Sequence, residues 1–210
     1  MGIKRNNIAD SYKAFLTASD LLREIENPDL CTPINKIIYE YDIRLFPFSE
    51  AREIIPFNSP IFKTVGELSH LEDHYCILYD DSCVIQRVRW TLAHELGHYF
   101  LNHPFENTNE YDKLEAEANY FASQLLMPLE LLLILEYYYN LCEPLLSFVC
   151  NVNHKASRYR MNYFRNHKAT FKNFDLNQEM MEKFDHLIKR DLLYNEEFES
   201  LKKKHYLHFK

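Results

Sequence analysis

The chain has 210 residues, enough for one ordinary domain with a helical appendage and too few for a multidomain machine. Hydrophobic residues make up 47% and aromatics 15%, with only three glycines, which excludes a disordered or fibrous polymer and points to a helix-rich fold. A formal charge of −7 leaves no basic surface of the kind phosphate neutralisation needs, so direct nucleic-acid binding is not expected.

In chain order, Ala14, Phe15, Ala18, Leu21, Leu22 and Ile25 recur at helical spacing, which predicts a first helix over residues 10 to 26 that stops near Asn27-Pro28. Pro33 suits a first helical turn and opens a second helix through Ile34, Ile37, Ile38 and Tyr41. Ile43 to Phe48 reads as extended, and Pro47 assigns it to a sheet edge or a strand end. From Glu53 to Leu71 the Pro56, Asn58, Pro60 and Gly66 punctuation suggests loops around short strands, with no firm element. His74 to Tyr79 is aromatic and β-branched and is closed by the Asp80-Asp81-Ser82 turn, so a strand is predicted. It is read as a core strand, with edge pairing to an extended substrate as the alternative.

Val84, Val88, Leu92, Leu96 and Tyr99 then mark a long helix from about Ile85 to Leu101. A polar loop, Asn102 to Asn109, leads to another from Tyr111 to Met127, and Pro128 ends it or begins the next. Two more helices are predicted over residues 129 to 139 and 143 to 166, the second starting near Pro144, and the tail from Phe171 to Lys210 is charged and helical in pattern. The Arg158, Arg160 and Arg165 group and the Lys202-Lys203-Lys204 run are read as solvated helix faces.

Five cysteines, Cys31, Cys76, Cys83, Cys142 and Cys150, form no CxxC pair, which argues against a disulfide framework or a cysteine-rich zinc knuckle. The N-terminal residues lack a secretory h-region, and the longest apolar stretch, Leu125 to Tyr139, is interrupted by Pro128, Glu130 and Glu136, short of the roughly 20 residues of a membrane span. A reducing, cytoplasmic setting without membrane association is expected.

His94-Glu95-Leu96-Gly97-His98 lies inside the helix predicted from Ile85. Residues i and i+4 share a helix face, so His94 and His98 can present two imidazole nitrogens to one tetrahedral ion. Glu95 projects beside that ion, where it can take a proton from water and deliver it to a leaving amine. These residue types at this spacing are what amide hydrolysis by a Zn²⁺ centre requires. Chance would place such a pentad in about one chain in twenty of this composition, so the surroundings decide. Trp90 to Ala93 and Tyr99 to Leu101 make the helix apolar around it, as a buried site needs.

A catalytic zinc takes a third protein ligand. The metzincin pattern would need glycine at 101 and histidine at 104, where Leu101 and Pro104 stand, so that class is rejected and His103 is read as structural. A carboxylate from the following helix is the alternative, and Glu115 and Glu117 are both candidates. Their side chains point about 200° apart, so only one can face the ion. The apolar arc of Leu114, Ala118, Phe121, Ala122 and Leu125 leans slightly toward Glu115, without settling the choice.

Leu92-Ala93-His94-Glu95-Leu96-Gly97-His98, followed by Glu117-Ala118-Asn119-Tyr120-Phe121-Ala122-Ser123-Gln124-Leu125-Leu126-Met127-Pro128, resembles the ImmA/IrrE family of metallopeptidases. The resemblance covers residues 75 to 128 most strongly. Asn151 to His154, with Arg158 and Met161, is similar to the family's short C-terminal helical unit, although Asn153 and Arg160-Met161 depart from its usual Val-Ser and Arg-Leu. It implies an α+β, predominantly helical, zincin-like core with a small β-sheet at residues 1 to 142 and a C-terminal helical unit and tail at 143 to 210. It further implies Zn²⁺ held by His94, His98 and Glu117, the glutamate before Ala-Asn, with Glu95 as general base and then acid. The implied activity is site-specific cleavage of a helix-turn-helix repressor of a mobile element or stress regulon. The alternative is a non-cleaving interaction module of the same fold that regulates a repressor or toxin-antitoxin partner.

Overall fold

The computed structural model describes residues 7–25, 29–56, 58–71, 73–105, 109–171 and 178–206. Among them are ten α-helices and one three-stranded sheet, an α+β and predominantly helical architecture. The chain divides into two compact units, Met1–Glu26 with Pro33–Leu125, and Asn27–Thr32 with Leu126–Lys210. The predicted stop at Asn27-Pro28, parts of the Asn102 to Asn109 loop and of the tail, and the side chains of Lys202 to Lys204 lie outside the described residues.

The first unit runs α1 (Asn7–Glu24), α2 (Ile34–Glu40), β1 (Arg44–Pro47), α3 (Phe48–Ala51), a 3-10 turn at Pro60–Lys63, β2 (Gly66–Leu71), β3 (His74–Tyr79), α4 (Ile85–Phe100) and α5 (Tyr111–Leu126). The sheet order is β1-β3-β2. β1 lies parallel to β3 with Arg44 opposite Cys76, and β2 antiparallel with Leu68 opposite Ile77. β1 is therefore the edge strand that Pro47 announced. β3 is central and buries Cys76, Ile77 and Leu78, which removes it as an edge for a substrate. β2 is the other edge. It escaped sequence reading because only Leu68 of its six residues is buried, so no apolar alternation marks it.

Phe48 and Ala51 of α3 pack with Cys76 and Leu78, flanked by Phe46, Ile55, Ile61 and Phe62. Leu92, Ala93 and Leu96 of α4, and Ala118, Phe121, Ala122 and Leu125 of α5, join the buried set together with Ala14 and Ala18 of α1. Phe100 stacks on Phe121 at 5.7 Å between ring centres, and Gln124 donates to the Ser19 hydroxyl at 3.0 Å, tying α5 to α4 and α1.

The second unit contains α6 (Leu129–Tyr138), α7 (Glu143–Cys150), α8 (His154–Phe171), α9 (Gln178–Asp191) and α10 (Glu196–Tyr206). Pro128 precedes α6 in extended conformation, as its fixed φ allows. The single helix expected over 143 to 166 is two, because Asn151 adopts a left-handed conformation with φ 47° and ψ 54°. The Val152 N–H then donates back to the Ser147 carbonyl at 3.2 Å, a helix-closing Schellman bond. Two residues on, the Asn153 side chain accepts from the Ala156 N–H at 2.8 Å and caps α8.

Arg160 is not on a solvated face. It is buried and donates to the Met127 carbonyl at 3.0 Å, and Arg158 forms a two-pronged ion pair with Glu143. The tail is a core element: α9 buries Met180, Phe184, Leu187 and Ile188, and Phe198 of α10 is fully buried beside Tyr139. Among the described residues no single helix is long and apolar enough to cross a membrane.

Candidate metal centre

α4 and α5 approach closely at one point. A β-carbon on Gly97 would stand 2.9 Å from the Ala118 α-carbon and 3.0 Å from its carbonyl oxygen, so only glycine lets the two backbones meet there. Residues flanking the crossing on each helix face each other as a result. On α4 these are His94 and His98, and on α5 Glu115, three positions before Ala118 on the same face.

The structure accordingly brings Glu115 to the histidine pair. Glu115 Oε2 lies 3.3 Å from His94 Nε2, Glu115 Oε1 lies 3.3 Å from His98 Nε2, and the two Nε2 atoms are 3.1 Å apart. Glu117, the third ligand that the resemblance implies, does not lie with them. Glu117 precedes Ala118 by one residue, a rotation of about 100° around α5, which carries its carboxylate sideways. Its Oε2 meets His103 Nε2 at 3.1 Å and its Oε1 lies 3.7 Å from Lys113 Nζ.

His94, His98 and Glu115 each offer one ligand atom within 4.8 Å of the others. A tetrahedral zinc with bonds of about 2.0–2.1 Å separates its donors by about 3.3 Å, which is the spacing found here. Proton bookkeeping agrees. Asn119 Nδ2 donates to the Glu115 carbonyl at 2.8 Å, so its Oδ1, 3.2 Å from His94 Nδ1, must accept from that ring. In its neutral form His94 then turns the lone pair of Nε2 toward His98 Nε2 and the Glu115 carboxylate, an arrangement that suits a shared cation.

The charges follow from the crowding. Burial first, and then His94 beside it, pushes the His98 imidazole down to about 4, which keeps it neutral and able to ligate. Burial also opposes a proton on His94, but the Glu115 hydrogen bond and the Glu95 and Glu115 charges outweigh it and raise its pKa. The Glu115 carboxyl is held below its ordinary value, chiefly by the His94 hydrogen bond.

Glu95 stands on the adjacent flank of α4, 7% exposed, and burial pushes its carboxyl up to about 7, the range a general base needs near neutral pH. Its Oε2 accepts from the Leu68 N–H of β2 at 2.8 Å. Leu68 thus turns its backbone N–H away from β3, toward α4. Gly66 permits this closeness, since a β-carbon there would run into the Thr91 methyl of α4 and reach within 3.7 Å of Glu95 Oε1.

The Peptidase_M78 family model, described as the IrrE N-terminal-like domain, matches residues 54–161, which hold β2, β3, α4, α5 and every residue of this centre. That is more than half of the chain. The chain belongs to the ImmA/IrrE family of metallopeptidases. Comparison with curated proteins gives no match. Within this ImmA/IrrE chain, the groups to which sequence reading gave no role are Asn119 and the Leu68 N–H, while His103, read as structural, stands between His98 and Glu117. Asn119 was detectable, since it lies four residues after Glu115 on one helix face. The Leu68 contact was not, because no pattern marks β2.

Proposed function

We propose that the protein is a zinc-dependent endopeptidase that cleaves a protein partner, a helix-turn-helix repressor being the expected class. One observation carries the reading: two imidazoles and a carboxylate converge at tetrahedral spacing with Glu95 beside them, in a chain of a metallopeptidase family. His94, His98 and Glu115 would hold the ion. When bound, Zn²⁺ supplies Lewis acidity that polarises a scissile carbonyl and acidifies water.

The remaining work falls to the chain's own groups. Leu68 fixes Glu95 Oε2, which leaves Oε1 to take the proton from the attacking water and pass it to the leaving amine. The backbone groups of Gly66 and His70 and the Leu68 carbonyl alternate with those that pair with β3, so the outer edge of β2 can align an extended peptide beside Glu95 while the Leu68 N–H stays on Glu95. A folded repressor would present such a segment as a loop or linker.

The test is incubation of the zinc-loaded protein with helix-turn-helix repressors from the same genome, with intact-mass detection of fragments. Wild type should cut at one position and Glu95→Gln should not, while both keep zinc. Equal cleavage by the two would sink the mechanism, and tight binding without cleavage by either would favour the interaction module. Glu115→Ala should lose zinc and cleavage together.

A further inference from the structure

α4 does not simply end after the histidine pair. Leu101 closes it and Asn102 takes a left-handed φ of 55°, after which the His103 N–H donates back to the His98 carbonyl at 3.0 Å. That bond turns the chain so that the His103 ring meets the His98 ring, Nδ1 to Nδ1, at 3.0 Å. On its far side His103 Nε2 lies 3.1 Å from Glu117 Oε2. Both side chains are sequestered, with 4% of the His103 and 11% of the Glu117 side-chain surface exposed.

The proton positions in this chain of three groups are dictated once His98 Nε2 ligates. A neutral His98 must then carry its proton on Nδ1 and donate it to His103 Nδ1, which obliges His103 to hold its own proton on Nε2 and donate to Glu117. We propose that His103 and Glu117 are positioning residues, a two-step relay that fixes the tautomer and ring angle of His98 and makes it a stronger metal ligand. A buried carboxylate two hydrogen bonds from a ligand nitrogen enriches that nitrogen's basicity, as outer partners of metal-bound histidines do. The relay rests on the metal centre described above, and explains why α5 spends a second glutamate two residues after the first.

The test is zinc affinity by chelator competition, together with the visible spectrum of the Co²⁺-substituted protein, for wild type, His94→Ala, His103→Leu, His103→Asn and Glu117→Gln. His103→Leu should bind zinc about ten- to a hundredfold more weakly than wild type and shift the Co²⁺ bands. Glu117→Gln should lose less, since it retains an acceptor without the charge. His103→Asn should recover part of the loss by offering Oδ1 to His98. Wild-type affinity and an unchanged Co²⁺ spectrum in both His103→Leu and Glu117→Gln, with binding abolished in His94→Ala, would overturn the relay and leave the centre standing. If wild type bound no more tightly than His94→Ala, the centre itself would fall, and the relay with it. Should His103→Leu not fold, Glu117→Gln decides by the same criterion.

Discussion

Glu115 and Glu117 illustrate how much rides on a single residue of helical phase. Both are acidic, both precede the Ala118-Asn119 pair, and the family pattern nominated the second; geometry puts the first against His94 and His98 and the second against His103. The weak apolar periodicity leaned toward the residue that stands beside the histidine pair, because it reported the face that Ala118 presses on Gly97. Zinc analysis should show this directly: Glu117→Ala retains a bound ion with reduced affinity, whereas Glu115→Ala retains none. Gly97→Ala tests the contact itself. The added methyl must displace backbone, so we expect a loss of about 1–3 kcal/mol in urea unfolding, with impaired zinc binding as Glu115 moves off the pair. An unchanged zinc affinity in a destabilised Gly97→Ala protein would separate packing from ligand placement.

The elements that could be read from the sequence are those with long amphipathic or apolar patterns: α4, α5 and β3 appear within a residue or so of their expected bounds. Those that could not be read failed for identifiable reasons. β2 has one buried residue, and α7 and α8 were fused because glycine is the usual sign of a helix stop and none is present. In this glycine-poor chain every positive-φ residue among those described is Asp42, Asn102, Asn140 or Asn151, each just past a helix. Asparagine tolerates that region where alanine does not. Asn151→Ala should therefore cost about 1–2 kcal/mol in denaturant unfolding while Asn151→Gly is close to neutral. The turn between β3 and α4 carries a pH dependence of defined sign. Hydrogen bonds from the Ser82 hydroxyl and N–H hold the Asp80 carboxyl below its ordinary value of 3.8. The folded-state pKa is depressed, so this contribution is complete above 3.8 and is lost as pH falls through the folded value. The stability gap between wild type and Asp80→Ala should accordingly narrow on acidification, and a gap that widened would refute the assignment.

For the molecule as a whole, the donors of the metal centre and its Glu95 neighbour all belong to one of the two compact units. An ion that links α4 to α5 binds only the folded form, so saturating zinc should raise thermal stability. At a hundredfold excess over its dissociation constant the gain is about 2.7 kcal/mol, and His94→Ala should abolish it. The last stretch of the sequence, charged enough to be read as a tail, carries its own core. Phe198→Ala should destabilise by about 3–5 kcal/mol in a calorimetric scan, the usual loss for a fully buried aromatic. A negligible effect would mean that α10 adds nothing to folding. Its burial was hard to foresee because Phe198 sits among Glu196, Glu197 and Glu199, where no apolar neighbour draws the eye.

The close crossing of Gly97 and Ala118 also has a meaning for lineage. The atoms that leave no room for a β-carbon at position 97 are the α-carbon and carbonyl oxygen of Ala118, so no smaller side chain at 118 can make that room. Relatives that keep this crossing should therefore keep glycine at the position of Gly97 whatever small residue stands at that of Ala118, and relatives with a bulkier residue at the first position should have lost the approach of Glu115 to the histidine pair. Reading that one column would show which relatives can bring the two helices together in this way without a single assay.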